Sequence, residues 1–329
     1  MRIEEIGGEF SLIRQLAALI PHDHKNLVAG IGDDTAVIRQ DHDTRRYLLV
    51  TADTLVEGNH FKTNWSTPEQ IGEKAVECNV SDIAAMGGSP TLLFISLVVP
   101  KDIHVEWING LYKGISAACK RYAVVIGGGD TTRGQNIIIG MSLLGYVRTT
   151  ALCLRSHGRP GDLLVVSGTL GAAAAGYELL MKNTPVPPYL LKKHLTPRCR
   201  MDIVPMVSRL ANAMIDISDG LAAEVNHICS QSRTGAIVFE DHLPLHPELF
   251  SAAGILGLSP EGIALTGGED LELLFSIPEK NMDELRQSGI EHHVVGKLTE
   301  TKEGVLLEQK NGRRTPLLGG YNHFTPVAG

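Results

Sequence analysis

Residues 66–88, STPEQIGEKAVECNVSDIAAMGG, contain the pattern from which the fold is first predicted. A proline and an acid in the first turn after the opening Ser-Thr pair are typical of a helix start. Ile71, Ala75 and Cys78 follow at i, i+4 and i+7, so they form one apolar stripe. Asp82 comes eleven residues after Ile71, just over three turns later, and lies on the same stripe. A carboxylate on a core-facing stripe needs a compensating cation or hydrogen-bond donor.

Strands and helices alternate on both sides of this helix. Apolar runs predict strands at Tyr47–Thr51, Ala123–Ile126, Ile137–Val147, Leu163–Ser167, Met214–Ile217 and Leu271–Ile277. Further helices are predicted over Val105–Tyr122, in an alanine-rich run through Leu180, and after Gly220. The segment Thr149–Asp162 is typical of a crossover between domains. The sequence therefore predicts an α/β (α+β) fold with an N-terminal domain at 1–148 and a C-terminal domain at 149–329.

Composition restricts the possible partners and location. The 329 residues carry a net charge of −7, which argues against nucleic acid as a partner. An acidic protein that binds phosphorylated ligands would need divalent cations to offset the repulsion. The five widely spaced cysteines suit reduced thiols, and no signal peptide or bilayer-spanning apolar run is recognisable. We expect a cytoplasmic protein with no membrane partner.

Acidic residues recur beside glycine-containing loops, mostly at the predicted ends of strands. The set comprises Asp33-Asp34, Asp53, Asp82, Asp130, Asp216, Asp219 and Glu269-Asp270. Because such loops converge, the carboxylates are predicted to gather, and hard oxygen ligands of this kind suit Mg²⁺ shared with substrate phosphates. Taken singly, an aspartate beside glycine is more often a turn former or helix cap than a cation ligand, but repetition of the arrangement favours a shared site. For Asp219, capping of the following helix is a specific alternative.

The best-known nucleotide-binding motifs are missing from the sequence. It contains neither a GxxxxGK[ST] phosphate loop nor a GxGxxG after a strand, and no His-Arg-Asp kinase loop. Nucleotide binding by those folds is therefore unsupported.

Several short segments nevertheless occur in the order found in one family. They are 8–10, 30–36, 53–61, 79–88, 128–132, 216–221, 267–270 and 320–324. On these segments the chain resembles the thiamine-monophosphate kinases of the PurM-like superfamily. The segment 79–88 is shared across the superfamily. The Glu-Gly-Asn-His-Phe element at 57–61 and the closing Tyr-Asn-His-Phe at 321–324 are specific to the kinases.

The resemblance implies both an architecture and a reaction. The architecture is a PurM-like two-domain fold, in which the N-terminal sheet pairs across a homodimer and a larger C-terminal α/β domain follows. The reaction is ATP-dependent phosphorylation of thiamine monophosphate to thiamine diphosphate, with several Mg²⁺ as cofactors. Direct in-line transfer fits, because the acceptor phosphate is already largely ionised and needs no protein base. No catalytic side chain is therefore expected.

Functional residues follow from the resemblance, position by position. Those similar to magnesium ligands are Asp34, Thr51, Asp53, Asp82, Asp130, Asp216 and Asp219. Those similar to ATP contacts are Tyr112, Gly129, Asp130, Arg155 and Ser218. His60, Glu269 and Tyr321 match positions that contact the thiamine substrate. Glu269 is expected to attract the cationic thiazolium or pair with the aminopyrimidine, and Tyr321 to stack on a ring.

The sequence departs from the family pattern in places, and rival interpretations exist. Ala52 replaces a threonine found in many relatives, and Gly127 makes a triple glycine before Asp130. The choice of Asp34 over Asp33 rests on the resemblance alone. Selenophosphate synthetase needs a reactive cysteine near its start, whereas the first here is Cys78.

Four further alternatives can be weighed against the sequence. An aminoimidazole ribonucleotide synthetase would lack the 57–61 element, and a hydrogenase-maturation relative would end in a cysteine tail. A non-catalytic nucleotide- or metal-binding dimer, or a metal-dependent phosphatase, would leave the two thiamine-end motifs unexplained.

Overall fold

The computed structural model describes residues 2–20, 24–321 and 324. The strands are β1 Leu27–Ala29, β2 Ala36–Gln40, β3 Asp43–Val56, β4 Ser89–Val99, β5 Val125–Arg133, β6 Ile138–Arg148, β7 Leu163–Val166, β8 Ala213–Asp216, β9 Thr234–Phe239, β10 Leu273–Ile277, β11 His293–Glu300, β12 Val305–Glu308 and β13 Arg314–Pro316. The helices are α1 Glu9–Leu19, α2 Pro68–Ala85, α3 Val105–Arg121, α4 Ala172–Met181, α5 Pro188–Leu195, α6 Val204–Leu210, α7 Leu221–Ser232, α8 Pro247–Leu256, α9 Pro260–Thr266 and α10 Met282–Gln287.

The first sheet has the order β1-β2-β3-β6-β4-β5, with α2 and α3 against it. All neighbours are antiparallel except β4 and β5. Helix α2 begins as predicted: Thr67 Oγ1 accepts from the Gln70 backbone N–H, and the Gln70 side chain accepts from the Thr67 N–H. The backbones of α2 and α3 approach closely, since a Cβ on Gly114 would lie 2.0 Å from the Glu69 carbonyl oxygen. Ile71 and Ala75 of the predicted apolar stripe are buried, and Cys78 is half-buried.

The second sheet has the order β13-β12-β9-β11-β7-β10-β8, and only the β9–β12 pair is parallel. Strand β8 lies at an edge, yet all four of its residues are buried. Ala84 and Ala85, at the end of α2, share a core with Met214 of β8 and Phe275 of β10. Helix α2 therefore joins the two sheets, and its last turn lies beside the end of β8.

Two predicted strand ends are wrong. Asp53 lies inside the 14-residue β3, and Asp130 lies inside the nine-residue β5. The triple glycine before Asp130 favours a turn, but pairing with β4 holds it in an extended strand. By contrast, Asp216 is the last residue of β8, as predicted. The domain boundary at 148/149, directly after β6, stays a prediction.

Within the described ranges, no single helix is long and apolar enough to cross a bilayer. The bent pair α8 and α9, broken by 98°, meets the length and composition criteria only when its two helices are taken together.

Candidate active site

Three carboxylates meet where the two sheets are joined. Asp34 lies in the loop before β2, Asp82 in the last turn of α2 and Asp216 at the end of β8. One oxygen from each lies within 4.8 Å of those of the other two. Hard oxygen ligands at this spacing are what a divalent cation such as Mg²⁺ takes in proteins. These three residues, termed the acidic cluster, therefore fit a magnesium site.

Neighbouring hydroxyl groups fix the orientation of two of the carboxylates. Thr51 Oγ1, on β3, donates to Asp82 Oδ2 at 2.5 Å. Ser81 Oγ donates to Asp216 Oδ2 at 2.6 Å. Because each hydroxyl binds one carboxylate oxygen, the geometry of the cluster is set before any ligand arrives. Thr51, predicted as a magnesium ligand, hydrogen-bonds to a carboxylate of the cluster, and its role as a ligand stays a prediction.

Arg155 is the cation that contacts the acidic cluster. It follows β6 in a short 3₁₀ helix, and its guanidinium donates to Asp34 Oδ1 at 2.6 Å and to the Gly32 carbonyl at 3.0 Å. Its distance to Asp33 is 3.8 Å, so the structure favours Asp34 as its partner. Within the described residues no other cation hydrogen-bonds or ion-pairs with the three carboxylates. The cluster thus has more acid than base.

This excess of acid shifts the protonation of the cluster. Burial, followed by the charge of Asp216, raises the pKa of Asp82 well above its usual range. Burial and the neighbouring Asp34 raise the pKa of Asp216 to about 8, although Ser81 opposes the shift. The protein therefore resists ionising these groups unless a cation is added.

Asp53 and Asp219 lie next to the cluster. The charge of Asp53 contributes to the raised pKa of Asp82 and also to that of Asp219. Burial, then Glu9, raises the pKa of Asp219 to about 7. Helix α7 is preceded by Gly220 and has no side-chain cap, so the capping alternative for Asp219 is wrong. The Asp219 backbone N–H donates instead to the buried Glu224, which the sequence analysis missed.

Three predicted ATP contacts lie elsewhere in the same chain. Gly129 and Asp130 are on β5, and the register from Asp53 through Met141 and Ile95 to Gly129 crosses three strand spacings. At 4.8 Å each, this is about 14 Å.

The third of these residues, Tyr112, is on α3, near the Glu69 end of α2. Thirteen residues at 1.5 Å separate Glu69 from Asp82, about 20 Å along the helix. The chain therefore does not bring these three residues to its own acidic cluster.

The predicted thiamine-contacting residues form a second group around a buried lysine. Lys74 Nζ donates to the His60 carbonyl at 3.0 Å and to Glu269 Oε2 at 2.8 Å. His194 Nδ1 lies 3.4 Å from the same carboxylate oxygen. Burial disfavours the ionised form of Glu269, but Lys74 and His194 outweigh it and lower its pKa. Lys74, Glu269 and His194 are termed the braced cluster.

Aromatic rings surround the braced cluster. Trp65 lies edge-on to Tyr177 and His194, with ring centroids at 6.3 and 6.5 Å. The Tyr321 N–H donates to the Asp219 carbonyl at 2.8 Å. Burial, followed by the charges of Glu269 and Asp219, raises the pKa of the Tyr321 hydroxyl. Tyr321 therefore lies between the two clusters. Asn322 and His323 of the closing motif lie outside the described residues.

Ser218 links the clusters through its backbone. Its carbonyl accepts from the Glu269 N–H at 2.8 Å, and its residue is exposed between Asp216 and Asp219. Glu269 adopts a positive φ of 67°, a conformation rare for a side-chain-bearing residue. The hydrogen bond from the Glu269 N–H to the Ser218 carbonyl holds the backbone in this conformation.

Sequence reasoning missed Lys74, His194, Trp65 and Tyr177. A signal existed for Lys74, which falls on the apolar stripe three residues after Ile71 and is 2 % exposed. A lysine on a core-facing stripe needs a carboxylate, as Asp82 needs a cation. No comparable local signal exists for His194, because its partners are distant in sequence.

Comparisons with known proteins identify the family of the chain. Residues 32–147 match the family model of the AIR synthase related protein, N-terminal domain, and 159–308 match that of its C-terminal domain. The chain is 37% identical to the thiamine-monophosphate kinase of Aquifex aeolicus over 98% of this chain and 100% of that one. The chain belongs to the thiamine-monophosphate kinase family. The enzyme of Bacillus subtilis is 34% identical over 96% of this chain and 99% of its own.

Solved thiamine-monophosphate kinase structures share the fold. AaThiL complexed with AMPPCP and TMP superposes with a TM-score of 0.86 and 35% identity, covering 98% of this chain and 99% of that one. The hydrogenase maturation protein HypE in complex with ATP, at 18% identity and a TM-score of 0.71, shares the fold alone. The predicted PurM-like two-domain architecture and kinase family are confirmed.

Proposed function

We propose that this chain transfers the γ-phosphoryl group of ATP to the phosphate of thiamine monophosphate, giving thiamine diphosphate and ADP. The observation that carries the proposal is the acidic cluster, three carboxylates within 4.8 Å at the junction of the sheets. Its relatives are thiamine-monophosphate kinases, and AaThiL binds AMPPCP and TMP. An acidic site that must accept two polyanions needs bound cations.

Bound Mg²⁺ would supply the positive charge that lets the two phosphate chains approach in line. Asp34, Asp82 and Asp216 would hold it, with Asp53 and Asp219 as the nearest further ligands. Thr51 and Ser81 keep the carboxylates aligned through their hydrogen bonds. The work of these residues is positioning and charge neutralisation. No residue acts as general base, because the acceptor monoester is largely ionised at pH 7.

Arg155 exchanges partners in this proposal. Its guanidinium pairs with Asp34 and is 14 % exposed. When cations neutralise the acidic cluster, the guanidinium is released toward the ATP phosphates, which it can bind with two parallel hydrogen bonds. Ser218, exposed between the two clusters, is placed to contact the same nucleotide.

The thiamine end of the substrate binds at the braced cluster. His60 is connected to it through Lys74, and Tyr321 lies between this cluster and Asp219. A phosphate held near Asp219 would leave the two rings of the substrate at Glu269 and Tyr321. This arrangement joins all three predicted thiamine contacts in one site.

A homodimer accounts for the three predicted ATP contacts that lie away from the chain's own acidic cluster. All nine residues of the edge strand β5 are exposed, and Val125 is 64 % exposed. An apolar unpaired edge is unfavourable unless another chain covers it. We place this edge at the subunit interface, so that Gly129 and Asp130 of one protomer, with Tyr112, serve the nucleotide site of the other. The five cysteines are unpaired, as suits the cytoplasm.

The reaction is tested by incubating the protein with ATP, Mg²⁺ and thiamine monophosphate and detecting thiamine diphosphate as its thiochrome. Unphosphorylated thiamine is the control substrate. Formation of thiamine diphosphate from thiamine monophosphate but not from thiamine, abolished by EDTA, supports the kinase. Free phosphate without ATP would indicate a phosphatase, and nucleotide binding without product a binding module.

The exchange across the interface is tested by mixed dimers of Asp130→Asn and Asp216→Asn, purified with two different tags. If Asp130 serves the partner's site, one site per mixed dimer keeps both residues, and about half of the activity returns. If Asp130 serves its own chain, both sites are defective and no activity returns.

A further inference from the structure

One oxygen of the Glu269 carboxylate contacts two buried side chains, and the other faces the site. Its side chain is 27 % exposed, whereas those of Lys74 and His194 are 3 % and 1 % exposed. Both partners lie on Oε2, and Oε1 accepts no hydrogen bond from any residue that the structure describes. The carboxylate therefore presents one oxygen to the site, with its direction fixed by two buried side chains.

The charge of this carboxylate is already balanced. Lys74 is a cation at 2.8 Å, while burial and the nearby Lys74 lower the pKa of His194, so that the imidazole is neutral at pH 7. The braced cluster as a whole thus has a net charge near zero. Such a group attracts a cation weakly, but its open oxygen remains a strong and directional acceptor.

One buried polar atom of the pocket lacks a partner. Among the described residues, no atom accepts a hydrogen bond from the buried Nε1 of Trp65. A buried indole N–H usually finds an acceptor. The Trp65 ring lies next to the braced cluster, because its centroid is 6.5 Å from that of His194. Among the described residues, the Trp65 N–H and Glu269 Oε1 therefore remain as one donor and one acceptor for a ligand.

We infer that Lys74 and His194 are positioning residues that aim Glu269 at the exocyclic amine of the substrate's pyrimidine. The amine donates to Oε1, and ring nitrogens of the heterocycle can meet the Trp65 N–H. The ring is thereby selected through a directed hydrogen bond and not through attraction of the thiazolium cation. This inference rests on the proposed function and assigns the chemistry of its thiamine end.

The test compares thiamine monophosphate with oxythiamine monophosphate, which carries an oxo group in place of the amine and keeps the thiazolium. For the wild-type enzyme, KM should be about tenfold to 100-fold higher for oxythiamine monophosphate than for thiamine monophosphate, because a hydrogen bond to a charged acceptor is lost. Glu269→Gln should reduce this preference to less than about threefold, since the neutral amide accepts less strongly and can donate to the oxo group.

Lys74→Met should raise KM for thiamine monophosphate about tenfold or more, with kcat changed less than about threefold. Lys74→Arg should recover part of the loss, because it restores a cation behind the carboxylate. Lys192→Met, an exposed lysine on the same helix as His194, is the matched control and should change neither constant. An unchanged KM for ATP reports that each variant is folded.

Binding measurements separate failure of the inference from failure of the proposed function. The chain has two tryptophans, so Trp107→Phe leaves Trp65 as the only indole fluorophore. Quenching of its fluorescence by the two monophosphates gives both dissociation constants without turnover. Equal affinities would overturn the inference even if the enzyme is active. Absence of turnover with a preserved preference would overturn the proposed reaction alone.

Discussion

The acidic cluster and the braced cluster are adjacent, and both contain buried carboxylates, but their charges are balanced differently. Asp34, Asp82 and Asp216 have Arg155 as their only contacting cation among the described residues, whereas Glu269 has Lys74 and a neutral histidine. Accordingly, the pKa of Asp82 is raised and that of Glu269 is lowered.

The difference shows how to interpret a buried acid. One whose charge the protein leaves uncompensated indicates a missing cation. One whose charge is compensated by a buried base indicates a fixed hydrogen-bond acceptor. Four measurements can test whether this distinction holds.

The largest expected effect is on catalysis at the acidic cluster. Asp82→Asn removes a cation ligand while keeping the shape of the side chain. Loss of one preorganised electrostatic group typically lowers kcat by about 100- to 1,000-fold. Product formation at saturating ATP and thiamine monophosphate measures this loss, with the exposed Asp283→Asn on α10 as control. A loss below tenfold would mean that Asp82 is not a ligand.

The next effect is on the stability of the braced cluster. Lys74→Met leaves the Glu269 charge without its buried partner, which should lower the free energy of unfolding by about 2 kcal/mol, after allowing for the 27 % exposure of the carboxylate. Urea unfolding at pH 7 measures it. The double variant with Glu269→Gln should recover most of the loss, because the unpaired charge is gone. Additive losses would show that the pair is not coupled.

These two regions also differ in how far the sequence predicts them. The helical stripe that begins at Ile71 predicts that Asp82 faces the core, because the 3.6-residue period of a helix is a local property of the sequence. Lys74 follows the same stripe and could have been identified in the same way.

The role of His194 could not be identified from the sequence, since its place beside Glu269 depends on how α5 packs against the first domain. The turn predicted at the glycines before Asp130 was wrong for a similar reason. Glycine favours turns locally, but pairing with β4 extends the chain there.

A third prediction concerns pH in the absence of metal. Since the pKa of Asp216 is about 8 when folded and 3.8 as its ordinary value, its proton stabilises the folded protein fully below pH 4. This stability is lost as pH rises toward 8, and each proton is worth at most about 1.4 kcal/mol per pH unit.

We therefore expect the EDTA-treated protein to lose about 1–2 kcal/mol between pH 6 and 8. Glu269 should not contribute there, because its lowered pKa confines its effect to acid conditions. Thermal unfolding at several pH values measures the slope. Asp216→Asn should flatten it, and Mg²⁺ should oppose the fall by binding the ionised form. A slope equal in Asp216→Asn and the wild type would contradict the assignment.

The smallest effect has the opposite sign from that of Lys74→Met. Without metal, Asp82→Asn should raise the free energy of unfolding by about 1 kcal/mol, because it removes a carboxylate that is costly to bury beside Asp216. The gain is modest, since the Thr51 hydroxyl donates less strongly to an amide oxygen than to a carboxylate. Urea unfolding in EDTA measures it, and repeating the measurement in Mg²⁺ should favour the wild type instead. The same residue would then weaken the metal-free protein and strengthen the metal-bound one, as expected of a ligand whose charge is balanced only by the cation it binds. A loss of stability in EDTA would place Asp82 with Glu269 among the acids that the protein itself compensates, and the distinction between the two clusters would fail.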